Sequence, residues 1–276
     1  MIDSLQHYLQ AWDLTDPQPI AETATSHVYT VRAQGETVVL KILTAVGAEE
    51  QHGAVALRWF DGRGAVRLLR HDAGAHLLEY VAGNDLVPLV QRGDDEAATR
   101  IIASVLNQLH SVPQPASPDG LMPMRRRFQS LFAQAAQDEQ TGRDTIYYRA
   151  VPLVESLLTN PLDERVLHGD MHHENIRYHA ERGWLAFDPK GLYGERTFDA
   201  ANTLCNPIAV PELITNETRL LRNAAILAEA MHIPLPRVLA YTFAYACLSA
   251  VWFLEDGVDP GSTLWVAETL ERHVRV

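Results

Sequence analysis

The sequence is poor in cysteine, in basic charge and in long apolar runs. Two cysteines occur in 276 residues, Cys205 and Cys247. They are far apart in apolar surroundings, which argues for buried free thiols over a disulfide or a metal pair. Thirty-five acidic residues outweigh 23 Lys and Arg, for a formal net charge of −12. Phosphate-backbone recognition needs clustered cations, so no nucleic acid partner is expected. The charge is compatible with a cationic small molecule, although many soluble enzymes are simply acidic. No apolar run approaches the length needed to cross a bilayer. Residues 1–12 lack the basic-then-apolar order of a signal peptide, so no membrane partner is expected and the cytoplasm is the default compartment. Internal repeats and low-complexity tracts are absent too, and nothing marks an obligate protein partner.

What is present suits one large domain or two lobes sharing a cleft. The first third reads mostly as strand. Residues 27–33 and 36–43 are rich in β-branched and aromatic side chains and flank the turn Gln34-Gly35, a hairpin pattern. Residues 48–60 have helical spacing and end at the glycine-rich stretch 61–64. Val66–Arg70 and His76–Tyr80 read as two further strands. The character then changes. Ile101, Ile102, Val105, Leu106 and Leu109 form a helical stripe in residues 94–110. Residues 112–123 hold four prolines and must be loop. Further helices are expected near 124–137, 144–158, 217–231, 236–253 and 262–273. Short strands between polar loops fill 166–188. The expected fold is α+β and two-lobed: a small antiparallel β-sheet lobe with one helix over residues 1–80, a hinge near 79–83, and a mainly helical lobe over 81–276. A cleft between lobes is where a ligand is expected.

The most informative segment is 167–176, LHGDMHHENI, followed by 184–191, WLAFDPKG. Phosphoryl transfer to an alcohol needs a carboxylate to take the hydroxyl proton and hard oxygen ligands to hold Mg²⁺ against the phosphates. Asp170 follows a short apolar strand and a glycine that permits a tight bend. Asn175, five residues on, offers a neutral oxygen ligand. Asp188 ends a second apolar strand. A loop and hairpin of this length can bring the three to one end of adjacent strands. Singly each is an ordinary turn residue; the ordered triple, after a β-rich lobe with a lysine-bearing strand, points to a phosphotransferase site.

These residues resemble the aminoglycoside phosphotransferases within the protein-kinase-like superfamily, and more narrowly the aminoglycoside 6-phosphotransferases (streptomycin kinases) and hydroxyurea phosphotransferases. The narrower likeness rests also on Leu57–Trp59 with Gly62–Leu69, on Met124–Phe128, on Trp184–Gly194 and on Tyr245–Ala250, and so spans nearly the whole chain. It implies an ATP- and Mg²⁺-dependent kinase of a small-molecule hydroxyl. Asp170 would be the catalytic base, Asn175 and Asp188 the metal ligands, and His168 a brace for the loop. Lys190 would sit near the site, either neutralising developing phosphate charge or pairing with a nearby Asp. Asp199 would order the catalytic loop from below.

On the nucleotide side, Lys41 lies in an apolar strand, where a lone lysine must snorkel or pair. The likeness makes it a phosphate contact held by a helix glutamate, Glu50 by alignment of the helix end, with Glu49 the alternative. Protein kinases carry a glycine-rich loop between their first two strands; residues 21–28 contain no glycine. Thr25 and Ser26 are the candidate phosphate donors there. The carbonyl of Glu79 and the N–H of Val81 would meet adenine at the hinge. On the acceptor side, Glu195, Trp252, Glu255 and Asp256 are the candidates, with carboxylates suited to ammonium or guanidinium groups; Tyr193 and Trp252 fit a core role equally well. Two other classes compete. A metal-dependent hydrolase could use His168, Asp170, His172 and His173, but the chain offers no second ligand cluster. A nucleotide-binding protein without transfer activity would not be expected to keep Asp170, Asn175, Asp188 and Lys41 together.

Overall fold

The computed structural model describes residues 2–113 and 117–274. Its first sheet grows from strands β1 (Leu14–Glu22), β2 (Ser26–Ala33) and β3 (Glu36–Leu43). Ala33 pairs directly with Glu36 across a two-residue loop. Gln34 and Gly35 both have positive φ, 51° and 86°. That is the turn whose twist matches the flanking strands, and it accounts for the glycine. Strands β4 (Leu68–His71) and β5 (Ala75–Glu79) complete an antiparallel sheet of order β1-β2-β3-β5-β4.

Alternation along β3 assigns its two faces. Val38, Leu40 and Ile42 join Val31, Ala75 and Leu77 in a small core closed by Tyr8 and Trp12. Those two aromatics belong to helix α1 (Ile2–Ala11) and its exit. The sequence reading did not foresee α1, yet Leu5, Tyr8, Leu9 and Trp12 carry helical spacing. Residues of the opposite parity, Val39 and Lys41, face helix α2 (Glu50–Phe60) and the main core.

The remainder is mainly helical. Its helices are α3 (Val87–Gln91), α4 (Asp95–His110), α5 (Met124–Arg127), α6 (Gln129–Gln140), α7 (Ile146–Thr159), α8 (Thr197–Leu204), α9 (Pro211–Ile214), α10 (Glu217–Met231), α11 (Leu235–Glu255) and α12 (Gly261–Glu271). The helix expected over 124–137 breaks at Phe128 into α5 and α6, and α3, α8 and α9 had no sequence counterpart. Of the proline-rich stretch, residues 114–116 lie outside the described residues, and Met122–Pro123 forms a short strand, β6. It lines up beside β10 (Leu192–Glu195), which pairs in turn with β7 (Glu164–Leu167).

Helix α11 corrects one expectation. At 21 residues and a mean hydropathy of 1.5 it is long and apolar enough, by length and composition alone, to cross a membrane. Here 72% of that window is buried inside the protein, with α6, α7, α8, α10 and α12 around it. A helix apolar on all sides is what the centre of a helical lobe requires. A buried ion-pair cluster fastens α4 to α10: Asp95 accepts from Arg219, Arg222 and Asn223, with the Arg219 and Asn223 contacts at 2.8–3.0 Å.

Candidate active site

Strand β7 delivers the chain into the loop that carries Asp170. The hairpin of β8 (Ile176–His179) and β9 (Gly183–Ala186) brings the other two members of the triple alongside. Ile176 pairs with Ala186, so Asn175 and Phe187 are the next positions out, and the Phe187 N–H donates to the Asn175 carbonyl at 2.9 Å. Asp188 follows at once, in left-handed backbone with φ 59°.

The loop is braced from within. Asp199, fully buried on α8, accepts from the N–H of His168 at 3.0 Å and of Gly169 at 2.7 Å, while His110 Nε2 meets Oδ2, the oxygen that takes the His168 N–H, at 2.9 Å. His168 accepts the Asp170 N–H at Nδ1, which leaves Nε2–H to donate to the Phe187 carbonyl at 2.9 Å. Burial keeps this imidazole below its usual pKa, and so neutral. It ties the Asp170 loop to the strand before Asp188, a bracing role. Gly169 has φ 80°, and a Cβ there would lie 2.7 Å from Leu192 Cγ, so glycine is needed for both turn and space.

The Asp170 carboxylate is oriented by two amides. Asn202 Nδ2 donates to Oδ1 at 2.9 Å, and Asn175 Nδ2 lies 3.4 Å from Oδ2. Asn175 also donates to the Asp170 carbonyl at 2.9 Å, so its amide nitrogen is engaged and its amide oxygen is the atom that could meet a cation. Asn202 was not singled out from sequence. Its only signal is its place three residues after Asp199, on the same helical face.

Beside this carboxylate lies a closed ring of alternating charge. Lys41 Nζ donates to Glu50 Oε2 at 2.6 Å and to Asp188 Oδ1. Lys190 Nζ meets the remaining oxygens, Glu50 Oε1 at 3.3 Å and Asp188 Oδ2 at 3.4 Å. Burial alone would raise the Asp188 carboxyl, but the two lysines hold it far below the usual carboxylate range. Glu50 is lowered against burial by the same pair. Lys190 is raised, against burial, by Asp188, Glu50 and Asp170. The chain's two lysines are both in this ring. Glu50 is thus the partner of Lys41, whereas Glu49 is exposed and pairs with Arg126 at 2.8 Å.

Ionised Asp188 and the free oxygen of Asn175 form a hard, oxygen-only donor set, which fits Mg²⁺ or Ca²⁺ and not zinc. The hydrolase reading fails on geometry. His168 is spent on the loop, His172 binds Glu174 at 2.9 Å, and burial beside Arg219 pushes His173 down to about 3. Among the described residues no three His, Cys, Asp or Glu side chains converge on a metal position.

On the nucleotide side, the Thr25 hydroxyl reaches Glu50 Oε1 at 3.1 Å and borders the ring. Ser26 is corrected: its N–H donates to Thr23 Oγ1 at 3.0 Å and its hydroxyl lies 3.1 Å from the same atom, so neither donor is free for phosphate. At the strand end, Glu79 takes Arg182 on its carboxylate and gives its N–H to Arg67. The N–H of Val81 has no partner among the described residues.

The family model for aminoglycoside/hydroxyurea antibiotic resistance kinases matches residues 11–257. The chain belongs to this family. It is therefore an enzyme, a phosphotransferase acting on a small-molecule hydroxyl. It is 35% identical to a streptomycin 3''-kinase of Klebsiella pneumoniae, covering 90% of this chain and 92% of the relative. It is 30% identical to a streptomycin 6-kinase of Streptomyces griseus, over 95% and 86%. It is 32% identical to a hydroxyurea phosphotransferase of Kitasatospora aureofaciens, over 95% and 76%. Two solved structures share the protein-kinase-like fold. One is an aminoglycoside phosphotransferase, APH(4)-Ia, in ternary complex with AMP-PNP and hygromycin B, with TM-score 0.67, 13% identity, and 97% and 96% coverage. The other is an amicoumacin kinase with AMP-PNP and Ca²⁺, with TM-score 0.69, 12% identity, and 98% and 92% coverage.

The acceptor side of the kinase differs most from expectation. Glu195 is buried, with its carboxylate consumed by Arg237, Thr197, the Leu162 N–H and Tyr241. It fastens β10 to α11 and cannot meet a substrate. Asp256 is exposed at the carboxyl end of α11. Trp252 and Glu255 do line one, a cavity of about 310 Å³ shared with Glu49, Arg126, Arg127 and Ser130. The Arg127 guanidinium lies over the Trp252 ring, 4.2 Å from its centroid. Glu255 accepts from Ser130 at 3.1 Å. Tyr245 lies between the cavity and Asp170: its ring stands edge-on to Trp252, and its phenol, raised mainly by burial, also feels both Asp170 and Arg127.

Proposed function

We propose that this kinase moves the γ-phosphoryl group of ATP to a hydroxyl of a cationic aminoglycoside of the streptomycin type. The observation that carries the reading is the ring of Lys41, Glu50, Lys190 and Asp188 set beside Asp170. Transfer of a phosphoryl group asks for little covalent chemistry from the protein; it asks for alignment and for charge to be met where it develops.

Asp170, aimed by Asn202 and Asn175, takes the proton of the attacking hydroxyl. Lys41 meets the inner phosphates. Lys190 exchanges its carboxylate partners for the group in transfer. Thr25 and the backbone around it stand in for the missing glycine-rich loop. Asn175 and Asp188 would hold Mg²⁺, which when bound supplies neutralisation of the triphosphate. The Glu79 carbonyl and the Val81 N–H would receive adenine. Work on cytoplasmic ATP makes the cytoplasm the site of action.

The cavity at Trp252 supports a drug-sized acceptor over a one-carbon one, because about 310 Å³ is the lower end of pockets that take such molecules. Arg127 covers the Trp252 ring and Arg126 holds Glu49, so the Glu255 carboxylate, which accepts from Ser130, is the group left to meet a guanidinium or ammonium of the acceptor. Streptomycin and hydroxyurea, offered separately with MgATP and scored by ADP release, test the reading. Turnover with streptomycin and not with hydroxyurea is expected, and the reverse result would assign the acceptor to the small hydroxamate. Mass spectrometry with phosphorus NMR of the product then fixes the hydroxyl used.

A further inference from the structure

Helix α2 carries Glu50, and the surfaces on which it rests are bare backbone. A Cβ built on Gly53 would lie 2.2 Å from the Pro189 carbonyl oxygen. One built on Gly191 would lie 1.9 Å from the His52 carbonyl oxygen and 2.8 Å from the Gly53 nitrogen. One on Gly47, just before the helix, would lie 2.3 Å from the Thr25 carbonyl oxygen. Real Cβ atoms do not approach oxygen so closely, and in each case the obstacle is main chain that cannot swing aside. Gly191 also needs its left-handed φ of 65°, but Gly53 is helical and pays only in propensity for being glycine. Its presence mid-helix is explained by the approach of the loop and by nothing else in its surroundings.

We propose that Gly53, Gly191 and Gly47 form a side-chain-free seat that fixes α2 at once on the 188–191 loop and on the 23–26 loop, and so sets the separation at which Glu50 bridges Lys41 and Lys190. They are positioning residues. Two further ties bind the helix to the other lobe: His52 Nδ1 to the Gly120 carbonyl at 2.6 Å, and Glu49 to Arg126. The glycines let the helix lie this close to the two loops, and the two ties oppose its movement outward, away from the lysines that Glu50 meets. The inference rests on the reading of the ring as the phosphate-facing part of the site, but the seat is tested without any acceptor.

The test is Gly53→Ala in the full chain, with lysine acylation read by mass spectrometry. The chain has two lysines, and the Lys41 side chain is 8% exposed. An unobstructed helical Gly→Ala change raises thermal stability. The seat predicts the opposite: melting does not rise, and Lys41 is acylated about tenfold faster because α2 is displaced and its ion pairs open. In a turnover assay KM for MgATP should rise and kcat fall, as in Glu50→Gln. A higher melting temperature with Lys41 as protected as before would overturn the proposal. Should Gly53→Ala not accumulate as folded protein, Gly47→Ala is read the same way, and unchanged Lys41 protection there overturns it equally. Absence of streptomycin turnover in the parent protein with Lys41 exposed in the variant would sink the acceptor reading and leave the seat standing.

Discussion

At the level of single side chains, the meeting of Asp170 with Asn175 and of Lys41 with Asp188 was legible because these residues sit in or just after short apolar strands with tight turns. Asp170→Ala is expected to lower transfer by roughly 10²–10⁴-fold while nucleotide binding survives, since the base acts on the acceptor and not on ATP. Calorimetry with MgATP checks the second half, and full turnover in the variant would remove Asp170 from the mechanism. What sequence could not give were partners brought from a distance. Asn202 reaches Asp170 from α8 and His110 reaches Asp199 from α4; the one local hint is Asn202's place three residues after Asp199. Glu195 failed in the opposite sense. It lies seven residues after Asp188 in sequence, yet the strand carries it into the core, where Arg237 takes it. His76 offers a pH test. It pairs with Lys41 across β3 and β5, and burial, with Lys41 and His71 beside it, pushes its pKa down to about 4. Its unfolded value near 6.5 is higher, so the unfolded chain binds the extra proton as pH falls. The contribution is full above pH 6.5 and lost progressively on acidification towards 4, amounting to roughly 3 kcal/mol. His76→Leu should flatten that part of the stability–pH curve, measured by urea unfolding; an unchanged slope would discard the assignment.

Elements were read best where periodicity was strong and self-contained. The β2–β3 hairpin, α4, α7, α10 and α11 emerged within a few residues of their expected limits. Short helices were missed because α3, α8 and α9 span eight residues or fewer, too few turns for a period to declare itself. Helix α1 was missed although its stripe is plain, because the opening residues were read only against a signal peptide. The junction of α4 and α10 shows what tertiary placement adds. Asp95, an acid in the first turn of α4, is the buried centre of the Arg219, Arg222 and Asn223 cluster, which no local pattern announces. Removing one partner of a buried pair leaves an uncompensated charge, at a cost of about 3–5 kcal/mol. Asp95→Ala should therefore unfold at markedly lower denaturant than the parent protein. The double change Asp95→Leu with Arg219→Met, which removes both charges, should recover most of the loss. If the double variant is no better than the single one, desolvated charge is not what the single change exposes.

Across the whole molecule, the proposed polycationic acceptor would be met by charge as well as by the cleft. The net charge is −12, and with both lysines committed to the ring the remaining cations are arginines and histidines, many tied in ion pairs with acids. An acidic body draws a polycationic acceptor towards the cleft and raises its local concentration, whereas a neutral acceptor feels nothing. Salt shortens that reach, since the screening length falls from about 10 Å at 0.1 M to about 3 Å at 1 M. The kinase should therefore show a kcat/KM for streptomycin that falls several-fold between low and high ionic strength, with kcat nearly constant. Glu255→Gln should weaken the acceptor's KM and make its salt dependence shallower, because one carboxylate of the Trp252 cavity is then neutral. MgATP must be held saturating throughout, so that screening of the triphosphate does not enter the comparison. A streptomycin kcat/KM indifferent to salt would mean that recognition rests on shape and hydrogen bonds in the cavity alone, and the acidic surface would lose its role in capture.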